Sequence, residues 1–197
     1  NLEAIDFFKH LNSVVLGRNK GAVMIAEEST AWPKVTGSPE DDGLGFSLKW
    51  NMGWMHDFTE YMKLDPYFRK NAHHMMTFSM EYAYSENYML VLSHDEVVHL
   101  KCSMIEKMPG SYEEKFKNLM AGYAFMTGHP GKKLLFMGQD FGQHREWSEE
   151  RELDWFLLEK EPNHQLQLFV KELLHLYKSN KCLYEYDCWP EGFEWIN

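Results

Sequence analysis

The sequence predicts an α/β fold built on a parallel sheet, and three observations carry that prediction. Two short apolar runs, Val23-Met24-Ile25-Ala26 and Met89-Leu90-Val91-Leu92, each end in polar groups, as buried parallel strands do. Such runs alternate with stretches of helical periodicity, the order that gives strand–helix–strand units. Four strands of this kind occur without a nucleotide-type repeat, so they read as part of a larger sheet.

The elements follow in order. Leu2, Ile5 and Phe8 take helical spacing and begin a helix over Leu2 to Leu11. A strand at Ala22 to Ala26 comes next, then a long loop and a weaker strand at Leu44 to Leu48. Helices are expected within Gly53 to Tyr61 and within Pro66 to Tyr82. The second opens at Asp65-Pro66, an N-cap acceptor followed by proline at the first helical position. The Met89 to Leu92 strand follows. Ser111 and Glu114 form a capping box ahead of Phe116, Leu119, Met120, Tyr123 and Ala124, which share one helical face. Gly128 and Pro130 close that helix. Lys133 to Met137 is the fourth strand. Asn163 is expected to cap a last helix, whose apolar stripe from Leu166 to Tyr177 belongs to the core. In the tail, Phe193-Glu194-Trp195-Ile196 alternates weakly and reads as the first strand of another domain.

Composition narrows the function classes. With 197 residues, 44% of them hydrophobic, the chain is long enough to bury a core. A formal charge of −10 excludes phosphate backbones and anionic membranes as favoured partners, because both require a cationic surface, and leaves a neutral substrate such as a sugar. Seven Trp offer flat faces suited to sugar rings, although most are expected in the core. Cys102, Cys182 and Cys188 form no CxxC pair and leave an odd thiol, which suits a reducing compartment and a cytoplasmic location. No signal segment and no apolar stretch long enough to span a bilayer is read. The chain begins at Asn1 in helical periodicity and reads as opening inside a larger protein.

The chemistry is concentrated at the two strand ends. Glu27-Glu28 follows the first apolar run and Ser93-His94-Asp95-Glu96 follows the second. Ligands of parallel sheets gather at the carboxyl ends of strands, so the two clusters are expected side by side over one sheet. Converging carboxylates are the equipment of glycoside chemistry, while a single cluster is more simply a set of capping or salt-bridging acids. Glu96 and His99 stand three apart, as in di-iron helices, but a zinc-protease motif needs His where Asp95 stands, and no metal is expected. No GxGxxG or Walker-type loop is present, and Gly138 and Gly142 are spaced too loosely to make one.

Four motifs carry a resemblance to a known family. Ala26-Glu27-Glu28-Ser29-Thr30, the stretch Lys49 to Asp57 (KWNMGWMHD), Leu92 to His99 (LSHDEVVH) and Lys132 to Gly138 (KKLLFMG) are similar to the glycogen, or 1,4-alpha-glucan, branching enzymes of the alpha-amylase superfamily. Arg145-Glu146-Trp147 and Leu153-Asp154-Trp155 continue the similarity, which runs from about Gly21 to the end. The resemblance implies a (β/α)8 TIM barrel, with residues 1–182 holding strands five to eight and residues 183–197 starting a C-terminal β domain. It implies Glu27 as general acid/base and Asp95 as the carboxylate that stabilises the transition state. His94 would bind a sugar hydroxyl, and Glu28 and Glu96 are supporting acids at the substrate. The family's nucleophilic aspartate lies on strand four, which would precede Asn1. Leu100 stands where the family leads one to expect glycine after His99.

The implied substrate is an α-glucan such as glycogen or amylose, converted without any cofactor. An α-1,4 linkage is cleaved by retaining double displacement and the chain transferred to a 6-hydroxyl. The isolated chain is expected to be inactive and to self-associate as a half-barrel. Two other functions stay open at this point: a starch-degrading or transglycosylating relative, and a non-catalytic glucan-binding fragment.

Overall fold

The computed structural model describes residues 2–196. Four parallel strands, β1 (Ile25–Ala26), β2 (Leu48–Asn51), β3 (Tyr88–Leu92) and β4 (Lys132–Leu135), lie in the order β1-β2-β3-β4. The longer helices are α1 (Leu2–Arg18), α2 (Met52–Lys63), α5 (Tyr112–Gly128) and α6 (Glu161–Ser179), with single turns α3 (His74–Thr77) and α4 (Met104–Lys107) between them. Consecutive parallel strands joined by crossovers form the parallel α/β sheet that the sequence predicts, in the order of an arc of the (β/α)8 barrel that the resemblance implies.

One face of the arc is covered throughout, and the other is buried at β3, where Val91 is 1% exposed, but open at β1. Leu90 and Leu92 alternate onto the covered face and pack with Trp54, Phe58, Phe116, Leu119 and Leu166 from α2, α5 and α6. Gly122 permits the approach of α5 to α2, since a Cβ there would meet Met62 Cε at 2.9 Å and Phe58 Cζ at 3.1 Å. On the open face Ile25 is 41% exposed, because no further element covers that side of β1 among the described residues.

Several boundaries differ from the sequence reading for identifiable reasons. The second strand lies at 48–51 rather than 44–48. Leu44, Gly45 and Phe46 instead give their N–H groups to Lys34, Gly37 and Val35 carbonyls of the preceding loop. No continuous helix spans 66–82. Asp65 makes a turn by accepting from Tyr67 N at 2.9 Å, and Arg69 reaches back to the carbonyls of Met62 (2.8 Å) and Leu64 (3.2 Å), breaking the stretch into short turns. Asn163 does not cap α6, which begins at Glu161 with proline in its first turn. The Asn163 amide instead donates to Phe141 O at 2.7 Å and Gly142 O at 3.1 Å. The expected box at Ser111 is present, with Ser111 N–H on Glu114 Oε2 at 2.7 Å. Residues 193–196 carry no strand pairing. The tail turns back so that Tyr184 O and Asp187 Oδ2 each accept from Lys132 at 3.0 Å.

Candidate active site

The acids after β1 part company at once because side chains alternate along a strand. Ala26 is buried opposite Lys49 of β2, and Glu28, two residues on, turns to the same side. There Lys49 Nζ, almost wholly buried, lies 2.9 Å from Glu28 Oε2 and donates to Thr30 O at 2.9 Å. Thr30 N–H closes the loop onto Glu28 Oε1 at 2.8 Å. Burial works to raise the Glu28 carboxyl, but the Lys49 ammonium and the Thr30 donors outweigh it and hold it below the usual glutamate range. Glu27 alternates away, follows the exposed Ile25, and is itself exposed. Among the described residues no cation pairs with it.

After β3 the chain makes a tight 3-10 turn, His94–Val97. Ser93 and Glu96 build a capping box: Glu96 Oε2 accepts from Ser93 N at 2.5 Å and Ser93 Oγ at 2.8 Å, and Ser93 Oγ accepts from Asp95 N at 3.2 Å. Glu96 is therefore buried in its own turn rather than offered to solvent. His94 and Asp95 are left half-exposed, with His94 Nε2 3.3 Å from Asp95 Oδ1. The His94 ring meets the edges of Phe136, just past β4, and Trp147, with centroids 5.8 and 6.1 Å away.

The two clusters thus share the carboxyl edge of one sheet, but they are not neighbours. The strand order inserts β2 between β1 and β3, so Glu27 and Asp95 follow strands separated by two interstrand spacings, roughly 10 Å. A cleft of about 500 Å³ opens beside Glu28 and Lys49, walled by Trp32, Trp50, Tyr82 and Tyr88, while Glu27, His94 and Asp95 lie outside its lining.

Sequence reasoning missed Lys49 and Glu146. Lys49 opened a recognised motif, one residue past the expected second strand, and was given no role there. Glu146 lay within a recognised motif without a role. In the structure Glu146 accepts Leu100 N–H at 3.1 Å and Cys102 N–H at 2.7 Å. Leu100, in the place expected for glycine, has the left-handed backbone that glycine favours, with φ of 66°. Gly138 and Gly142 serve as the left-handed ends of a 3-10 turn, Gln139–Phe141. Among the described residues no group of three or more His, Cys, Asp or Glu side chains is placed to hold a metal ion. Likewise, no helix there is long and apolar enough to cross a membrane.

The parallel arc has the fold of part of an alpha-amylase barrel. The crystal structure of alpha-amylase from H. orenii superimposes with a TM-score of 0.58 over 92% of this chain and 41% of that one, at 13% identity. In sequence the chain is related over its whole length to the 1,4-alpha-glucan branching enzymes. It is 68% identical over all 197 residues to the 1,4-alpha-glucan branching enzyme GlgB of Butyrivibrio fibrisolvens, 55% to that of Synechococcus sp. (strain JA-2-3B'a(2-13)), and 54% to that of Halothermothrix orenii. It spans 31%, 26% and 31% of the lengths of these three relatives. No protein-family model matches the chain.

Proposed function

We propose that the chain is part of a branching enzyme that cleaves α-1,4-linked glucan and transfers the freed chain to a 6-hydroxyl, leaving an α-1,6 branch. The reading is carried by one observation: the accessible, cation-free carboxylate Glu27 stands at a strand end in a chain 68% identical throughout to an enzyme of that name. Glu27 protonates the leaving glycosidic oxygen and later takes the proton of the incoming hydroxyl. The carboxylate of Asp95 opposes the positive charge of the oxocarbenium-like transition state, and His94 holds a hydroxyl of the same sugar. Glu28 and Glu96 support them, the first through Lys49 and the second through Ser93.

In this reading the nucleophilic aspartate belongs to a strand beside β1. One interstrand spacing puts it about 5 Å from Glu27, which is the separation of carboxylates that retaining chemistry uses. It lies outside these 197 residues, so the chain alone is inactive. Residues 1–182 are the second half of the barrel and residues 183–197 the start of a β domain. The reaction runs in the cytoplasm on glycogen- or amylose-like chains and needs no cofactor.

Amylose incubated with the chain joined to its nucleophile-bearing half tests the proposal. New α-1,6 linkages without a matching rise in reducing ends are expected. Reducing ends without branches would overturn the reading in favour of a hydrolytic relative, and glucan binding without turnover in favour of a binding module.

A further inference from the structure

The loop leaving the Asp95 turn is held in a conformation its residues disfavour. His99, Leu100 and Cys102 all have left-handed backbone, with φ of 56°, 66° and 65°. For residues with a Cβ this region is uncommon and persists only where the surroundings impose it. Packing does not impose it here, because Leu100 is 95% exposed and Cys102 is exposed.

The restraint comes from hydrogen bonds to charged groups. Both oxygens of Glu146 are occupied by the loop, Oε2 by Leu100 N–H and Oε1 by Cys102 N–H. Lys107 donates to the carbonyls of Lys101 and, at 2.8 Å, Cys102. Bonds from a charged group to backbone are among the stronger ones available. Two further links run from this assembly to the candidate site. Lys101 Nζ donates to Asp95 O at 2.8 Å. Trp147, next to Glu146, gives its N–H to Val97 O at 3.0 Å and sets its ring against His94.

We infer that Glu146 is a positioning residue: its carboxylate ties the 99–102 loop to the segment after β4 and so fixes where Asp95 and His94 stand. The catalytic consequence rests on the proposed roles of those two residues, while the positional one stands on geometry alone. Burial works to raise the Glu146 carboxyl, but the two amide donors and the Lys107 ammonium outweigh it and hold it lowered.

The test is NMR of the 197-residue chain labelled at histidine. The Trp147 and Phe136 rings displace the His94 ring resonances through their ring currents. Glu146→Gln puts an amide N–H₂ where one loop amide now finds an acceptor. The His94 resonances are expected to move toward those of free histidine, while those of His129, buried against Ser79 at 2.8 Å, stay in place. Unmoved His94 resonances overturn the inference, and so does an equal movement of His129, which signals general loosening. If Glu146→Gln does not fold, it is placed on Leu100→Gly, where glycine takes the left-handed backbone freely. That double variant is then compared with Leu100→Gly alone and read in the same way. In the complete enzyme the same change should lower kcat about 10-fold or more with KM within about twofold. A raised KM with kcat intact would overturn the catalytic consequence and leave the positional one to the NMR result.

Discussion

Lys49 reaches from the second strand to the end of the first, where its ammonium lies 2.9 Å from Glu28 Oε2. This contact assigns different tasks to two adjacent glutamates that the sequence leaves equivalent. Glu28 is tied to a buried cation and to the Thr30 loop, while Glu27 is exposed without one.

Removing the cation should expose that difference as a pH-dependent loss of stability. In Lys49→Met a half-buried carboxylate loses its partner, which costs about 1–3 kcal/mol near pH 7. The folded pKa of Glu28 lies below its unfolded value, so its favourable contribution is full above the unfolded value and is lost as pH falls through the folded one. Urea unfolding of parent and variant should therefore differ most at neutral pH and converge as pH falls below the usual glutamate range. A gap that stays constant on acidification would remove Glu28 from the account.

Glu27→Gln keeps shape and hydrogen bonding but has no proton to transfer. In the chain joined to its nucleophile-bearing half, branching should fall by at least ~10²-fold with glucan binding retained. Near-normal turnover would move the acid/base role to another carboxylate. Glu28 would be the next to examine despite its ion pair.

Asp95→Asn removes the negative charge without changing the size of the side chain. Turnover should fall far more than affinity, since the charge matters most when the sugar becomes cationic. Steady-state kinetics on amylose decide it, and a variant that only raises KM would make Asp95 a binding residue.

The 197-residue chain should self-associate. β1 and β4 are both edges of the sheet, and Val23 before β1 and Ile25 within it are 56% and 41% exposed, so unpaired backbone and apolar surface invite a second copy. Light scattering should report more than the 23.4 kDa of one chain. A monodisperse, cooperatively unfolding monomer would show that the edges are covered in another way. The packing of the tail onto Lys132 offers a starting point for that explanation.

What could be read from the chain was local. Apolar runs closed by acids located β1 and β3; at β3 the run is continuous because Leu90, Val91 and Leu92 are buried on both faces, whereas at β1 Ile25 stays exposed. Ser111 and Glu114 located the start of α5, because both partners of a capping box lie within one turn. The motifs around Glu27 and Asp95 likewise lie in unbroken stretches of sequence. The stretch 66–82 misled because its turn signal was real while the helix it announced was displaced by Arg69, whose guanidinium bonds the carbonyls of Met62 and Leu64 and the Asn118 side chain.

Tertiary structure decided how those acids are used. Glu28 meets Lys49 across 21 positions, and Glu146 meets Leu100 across 46. Neither distance leaves a periodicity or spacing that a linear pattern can register. The strand order set Glu27 and Asp95 two strands apart rather than side by side, since pairing places each strand beside its partners in the sheet and not by the likeness of its end. Hydrophobic patterning specifies which faces are buried, whereas the placement of charge depends on which strand ends and loops the assembled sheet brings together.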